Sequence, residues 1–316
     1  MQQERKGRVL LSTTGFEPDR WIDLLSAERD VVTEPAPGGD PSIDYAVVWH
    51  HPRGLLAGLP NLKAIFSIGA GVDHIMSDPD LPDVPVVRVV ADNLSQFMTE
   101  YVAWRVLDHH RQGVAYRSQQ ARSVWDERPQ APAGEVAVGI MGFGALGQAT
   151  AAALLALGYR VRGWSRTGRE MDGVETFAGE ARLGDFLSGT DILVVLLPHT
   201  PATEGIVDYD LLRRLRRDNA IGGAVLINAG RGALQVEDDI LRALDDGTLK
   251  EASLDVFREE PLPAQSRFWS HPRAFVTPHA AAASDAVFLV PQMLAQMSAY
   301  DRGEPLWNLV DRDAGY

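Results

Sequence analysis

Apolar residues fall into short runs separated by stretches with helical spacing. In the first hundred residues, Arg8–Ser12 (RVLLS), Asp44–Trp49 (DYAVVW), Lys63–Ile68 (KAIFSI) and Val86–Val90 predict strands, and Pro18–Ala27 predicts a helix. Strands spaced by helical segments predict a small parallel α/β unit. Helical spacing returns over Ser95–Gln112 and again over Ala115–Trp125. The segment Glu127–Gly134, with two prolines, reads as a linker or exposed arm.

Beyond it the pattern is more regular. Val136–Met141 (VAVGIM) predicts a strand buried on both faces, and Ala145–Leu157 an alanine-rich helix. Further strands are predicted at Tyr159–Trp164, Asp191–Leu197, Ala224–Asn228, Glu251–Val256 and Ala274–Thr277, with helices at Val236–Asp246 and Asp285–Tyr300. The expected architecture is α/β: a Rossmann-type doubly wound parallel sheet inserted into a smaller flavodoxin-like α/β unit. The dinucleotide-binding domain is expected over residues 99–284, and the substrate domain over 1–98 plus 285–316.

Composition narrows the function classes. A chain of 316 residues suits two domains rather than one core. The formal net charge of -13 disfavours a nucleic-acid partner. The absence of cysteine excludes disulfides, thiolate metal sites and a cysteine nucleophile. The first residues carry no apolar stretch that reads as a signal peptide, and no uncharged run has transmembrane length. These features predict a cytoplasmic enzyme with no membrane partner. The adjacent pairs His50–His51 and His109–His110 lack metal-site spacing and read as loop and helix-surface residues. The run Arg213–Arg217 reads as a solvated basic face at a helix end.

The strongest motif is Gly142-Phe143-Gly144-Ala145-Leu146-Gly147, which follows a buried strand and opens a helix. Gly142 permits the tight turn, Gly144 allows close approach of a pyrophosphate, and Gly147 allows the helix to pack on the strand. The helix N-terminus offers free N–H groups to phosphate. An NAD site usually carries an acid about 20 residues on, for the ribose 2′-hydroxyl. Here the second strand ends in Ser165-Arg166-Thr167. A cation and two hydroxyls suit a 2′-phosphate, which favours NADP(H) over NAD(H). Arg162 and Arg169 are weaker candidates.

Three later segments place polar residues just after strands, where ligands gather in open α/β sheets. They are Asn228–Gly232, Asp255–Pro263 and Thr277–Ala281. Reduction of a 2-oxo acid needs a cation for the carboxylate and ketone, a proton donor, and a group that keeps the donor charged. Arg231, His279 and Glu260 fit those three roles and form the candidate catalytic set.

The sequence resembles the D-isomer-specific 2-hydroxyacid dehydrogenases along nearly its whole length, and within them the bacterial type A glyoxylate/hydroxypyruvate reductases. The resemblance is carried by Leu62–Ile75, Met98–Val102, Gly139–Gly147, Leu197–Ile206, Ile227–Gly232, Leu254–Pro263, Thr277–Ala282 and Leu309–Tyr316. It implies the same roles for Arg231, Glu260 and His279, and cofactor contacts at Pro198, Ala229, Gly230, Asp255 and His279, with Asp255 at the nicotinamide amide. It implies a substrate-carboxylate loop over Gly69, Ala70 and Gly71, and homodimers formed through an arm over residues 113–132. Trp49, at the end of a predicted strand, is a candidate for the substrate site. A catalytically silent dinucleotide-sensing regulator, and a dehydrogenase for bulkier 2-oxo acids, remain alternatives, because function lives in sites rather than folds.

Overall fold

The computed structural model describes residues 7–14 and 17–315, with the side chain of Asp92 outside the description. Residues 1–6, part of the stretch read as carrying no signal peptide, lie outside the described residues. The chain divides into two units. One holds the described residues through Leu94 together with those from Ser284 onward; the other is Ser95–Ala283.

The first unit contains β1 (Arg8–Thr13), β2 (Val31–Val32), β3 (Ile43–Trp49), β4 (Ala64–Ser67) and β5 (Val86–Val87). They form one parallel sheet in the order β2-β1-β3-β4-β5, the flavodoxin-like order. Leu10, Ala46, Val48 and Ile65 from its central strands are fully buried in one cluster with Leu56 and Ile75. The helix Asp19–Ser26 buries Trp21 and Leu25.

The second unit contains β6 (Ala137–Met141), β7 (Arg160–Ser165), β8 (Val174–Ala178), β9 (Ile192–Val195), β10 (Val225–Asn228), β11 (Glu251–Leu254) and β12 (Ala274–Val276). Their order is β12-β11-β10-β9-β6-β7-β8, all parallel. The chain steps outward from β6 to β7 and β8, then returns to β9 on the other side, so the order reverses between β6 and β9. That is the doubly wound plan, with its switch point at the end of β6. Every residue of β6, β9, β10 and β11 is buried. Two clusters, one on each face, account for this: Leu193, Val195 and Leu226 belong to one, and Val138, Ile140 and Val194 to the other. A strand covered on both faces reads as an unbroken apolar run, as β6 and β9 do. Each buried Val, Leu or Ile contributes about 1.5–3 kcal/mol.

Two readings of polar residues are corrected. His51, His109 and His110 are buried rather than exposed. Hydrogen bonds offset their desolvation: His51 Nε2 lies 3.2 Å from Asp78, His109 bridges Glu251 and Ser253, and His110 bridges Tyr159 and the Ala131 carbonyl. Within the basic run, Arg216 is not simply solvated: it forms a two-pronged pair with the fully buried Asp191, at 2.6 Å on each prong. Among the described residues no group of three or more His, Asp or Glu could hold a metal, and no helix is long and apolar enough to cross a membrane.

Candidate active site

Because the second sheet is parallel, the carboxyl ends of its strands share one edge. The turn after β6 begins at Gly142, whose φ of +111° is open to glycine alone. A side chain there would also lie 2.6 Å from the Leu196 carbonyl carbon. A Cβ on Gly147 would run into the Gly142 carbonyl, so the helix Ala145–Ala156 packs tightly on the turn. Gly144 is different: a Cβ there would meet nothing within 4 Å. Gly144 also caps the helix without a side-chain hydrogen bond, so the first-turn N–H groups, including those of Ala145, Leu146 and Gly147, stay available to an anion. Open room over Gly144 beside free donors fits a pyrophosphate. Phe143 turns the other way. Its ring is buried against Gly163, where a Cβ would lie 2.7 Å away, and its N–H is spent on the Trp164 carbonyl.

Ser165 ends β7, and its Oγ is buried with no hydrogen-bond partner among the described residues. An orphaned hydroxyl beside the exposed Arg166 and Thr167 fits the 2′-phosphate reading. Arg162 is committed elsewhere, to Glu175 at 2.6 Å and to the Asp185 carbonyl. After β9, the turn carrying Pro198 is pinned by Thr203, whose hydroxyl donates to the Pro198 carbonyl at 2.8 Å.

Arg231 follows β10. The fully buried Asn228 holds its loop: Asn228 accepts from the Gly230 N–H and donates to Gln235 and to the Arg231 carbonyl. Ala229 N–H is tied back to the Val195 carbonyl. Gly232 is required by proximity, since a Cβ would overlap the Phe257 carbonyl. That close approach carries the Arg231 loop to the Glu260 loop. Arg231 Nη1 donates to the Gly230 carbonyl at 2.8 Å, which fixes one face of its planar fork.

Glu260 Oε1 accepts the Phe257 N–H at 2.9 Å, and Oε2 lies 2.7 Å from His279 Nδ1. A carboxylate only accepts, so Nδ1 carries the proton and Nε2 remains for other chemistry. Burial pushes the Glu260 carboxyl up, but the His279 and Phe257 hydrogen bonds and the charges of His279 and Arg231 bring it below its ordinary value. Arg231, Glu260 and His279 are therefore one electrostatic group, assembled from the ends of β10, β11 and β12.

His279 itself stands at φ +52°, a left-handed conformation that costs a non-glycine residue roughly 1–2 kcal/mol. The turn is organised around Asp255, which is 1% exposed. Its carboxylate accepts from Thr277 Oγ1 at 2.6 Å, Ala280 N–H at 2.9 Å and Ala281 N–H at 3.0 Å.

In the first unit, Ser67 ends β4, and its buried hydroxyl faces the Gly69 and Gly71 carbonyls at 2.9 and 3.2 Å. The Gly69 and Gly71 carbonyls thus share the single Ser67 hydroxyl proton. The Trp49 indole packs on Gly69 so closely that a Cβ would overlap it, and the His74 ring lies 4.6 Å from the indole. Sequence reasoning gave no role to Ser67, Asn228, Gln235 or Thr277. Of these, Asn228 and Thr277 carried a signal, each opening a polar segment just after a strand.

The fold and this edge together define a class, the dinucleotide-dependent α/β dehydrogenases. The chain belongs to the D-isomer specific 2-hydroxyacid dehydrogenase family, whose NAD binding domain matches residues 103–281. It is 41% identical to glyoxylate/hydroxypyruvate reductase A of Escherichia fergusonii, over 98% of this chain and 99% of that protein. Among solved structures it resembles the NADPH-dependent glyoxylate/hydroxypyruvate reductase of Sinorhizobium meliloti in complex with NADP and sulfate: TM-score 0.93, 45% identity, 98% of this chain and 100% of the other. A probable 2-hydroxyacid dehydrogenase from Rhizobium etli, in complex with NADP, HEPES and L(+)-tartaric acid, gives a TM-score of 0.91 at 43% identity, covering 98% of this chain and 100% of that one.

Proposed function

We propose that this protein reduces a small 2-oxo acid, glyoxylate to glycolate or hydroxypyruvate to the D-2-hydroxy acid, with NADPH as the reductant. The observation that carries the reading is the Arg231–Glu260–His279 group at the same sheet edge as the glycine turn. The names of its relatives agree with it.

The N–H groups after Gly144 would hold the pyrophosphate, and Ser165, Arg166 and Thr167 the 2′-phosphate, with Pro198, Ala229, Gly230 and Asp255 Oδ2 toward the nicotinamide end. NADPH held by these residues would supply the hydride that reduces the carbonyl carbon. The chain supplies the rest. Arg231 offers a planar pair of donors to the substrate carboxylate and carbonyl oxygen. His279 delivers a proton from Nε2 to the developing alkoxide, while Glu260 on Nδ1 stabilises the charged ring. Within the first unit, the N–H groups of Gly69, Ala70 and Gly71 are donors suited to a carboxylate, and the Trp49 indole packs beside Gly69. Hydroxypyruvate and NADPH should yield D-glycerate; chiral analysis returning L-glycerate, or no turnover of hydroxypyruvate, glyoxylate or any other small 2-oxo acid, would sink the proposal.

Arg166 supplies the cofactor preference. Arg166→Glu is expected to weaken NADPH binding by about tenfold to a hundredfold, the size of a lost charge-assisted hydrogen bond, and to leave NADH nearly unaffected. Fluorescence titration of both cofactors checks this, and equal losses would contradict it.

We also propose a cytoplasmic homodimer joined through residues 113–132. The supporting observation is a chain of exposed residues from Arg122 to Gln130 that includes Trp125, whose side chain is 100% exposed. An indole left wholly in water calls for a partner surface. Light scattering should report a dimer for the natural protein and a monomer for a Val124→Glu/Trp125→Glu variant.

A further inference from the structure

We infer that Tyr101 and Thr277 are positioning residues for proton transfer, acting through Asp255 to hold the turn on which His279 sits. The inference rests on the reductase reading for its kinetic consequence, and on the structure alone for its mechanical one.

The turn needs such a device. His279 stands in the left-handed region, and a bulky residue stays there only where its surroundings over-determine it. Its own N–H is bonded to the Asp255 and Thr277 carbonyls, at 2.8 and 3.1 Å. The next two N–H groups, of Ala280 and Ala281, converge on the two oxygens of the Asp255 carboxylate. The Asp255 side chain thus clasps the residues that follow His279, and its orientation fixes that of the turn.

The orientation of Asp255 is in turn set from behind. Thr277 Oγ1 has one proton, and at 2.6 Å from Asp255 Oδ1 that proton is committed, because a carboxylate cannot donate. Tyr101 Oη lies 2.8 Å from the same Oγ1, so the phenol must be the donor there. The result is a directional chain, Tyr101 O–H to Thr277 O–H to Asp255 carboxylate, running from the helix Asp92–His110 to the His279 turn. Tyr101 is 6% exposed, and burial pushes its phenol up to about 12, so it keeps the proton it donates. Each bond polarises the next, so the effect of one member depends on the other. Among the described residues Asp255 Oδ1 takes two donors and Oδ2 one, which leaves Oδ2 a lone pair for a cofactor amide while the brace stays intact.

The test is a double-mutant cycle read in two ways. First, kcat and KM for glyoxylate with NADPH, and the Kd of NADPH, are measured for Thr277→Val, Thr277→Ser, Tyr101→Phe and Tyr101→Phe/Thr277→Val. Thr277→Val should lower kcat about tenfold, the scale of a lost hydrogen bond to a buried carboxylate, with KM for glyoxylate nearly unchanged and a smaller loss in NADPH affinity than in kcat. Thr277→Ser should restore kcat. Tyr101→Phe should give a smaller loss that vanishes in the Thr277→Val background, since Tyr101 acts only through Thr277. Second, amide hydrogen exchange over residues 277–282 is followed in the same proteins without substrate. It should speed up in Thr277→Val, less in Tyr101→Phe, and no further in the double variant. Additive kcat losses, or unchanged exchange over 277–282, would overturn the inference. If the natural protein reduces neither glyoxylate, hydroxypyruvate nor any other small 2-oxo acid, the reductase reading fails, and the exchange data still decide the brace.

Discussion

Replacing His279 with alanine should lower kcat/KM for 2-oxo acid reduction by about 10²–10⁴-fold, the range for loss of a positioned general acid. NADPH binding should be retained, because the glycine turn and the Ser165–Thr167 segment do not depend on His279. The split between the two measurements is the informative part: a variant that lost cofactor affinity in parallel would point to a damaged fold rather than a missing proton. The partner of His279 gives a pH signature. Burial raises the Glu260 carboxyl, but His279, the Phe257 N–H and Arg231 together lower it below its ordinary value. A depressed carboxyl contributes its charge fully above its ordinary value and loses it only as pH falls through the lowered one. Glu260 therefore stays ionised on the mildly acid side, and no decline in activity there belongs to it. Glu260→Gln removes the negative charge that accepts from His279 Nδ1, so kcat/KM should fall about tenfold or more while NADPH binding is kept. An unchanged kcat/KM would show that the pair is not the proton-delivering unit.

Arg231 is the second large effect. Arg231→Lys should cost about 10²–10³-fold in kcat/KM, comparable to removing one preorganised donor from a developing oxyanion. The charge survives in lysine, but the fork does not, and Arg231 already uses Nη1 on the Gly230 carbonyl to hold its plane. Lysine cannot brace against that carbonyl and present a planar pair at once. Added guanidinium should restore part of the activity of Arg231→Ala and none of that of His279→Ala. Rescue of both, or of neither, would separate Arg231 from the role given to it.

Which parts of this were legible in sequence follows from distance along the chain. The turn Gly142–Gly147 could be read because strand, glycines and helix are contiguous, and because β6 is an unbroken apolar run. Arg231, Glu260 and His279 could be read because each follows its own strand closely. The brace could not. Tyr101 and Thr277 are 176 residues apart, and nothing local to either marks a hydrogen bond between them. Edge and short elements also escaped. β8 carries Glu175 and Thr176 in an edge strand with partial burial, and β2 spans two residues. The helix Leu183–Ser188 is six residues long, too short to show a helical period. The buried His109 was misread for the opposite reason: a polar residue near a helix end looks exposed until its partners, Glu251 and Ser253, are placed beside it. Phe143, inside the glycine motif, serves packing against Gly163, a pairing that only the fold reveals.

The deciding rate is that of NADPH oxidation. NADPH oxidation by the natural protein should be followed with glyoxylate, with hydroxypyruvate and with bulkier 2-oxo acids, and each repeated with NADH. Rapid turnover of glyoxylate or hydroxypyruvate, faster with NADPH than with NADH and lost in His279→Ala, is the result expected. Tight NADPH binding with no turnover of any small 2-oxo acid, or turnover that His279→Ala leaves intact, would contradict it.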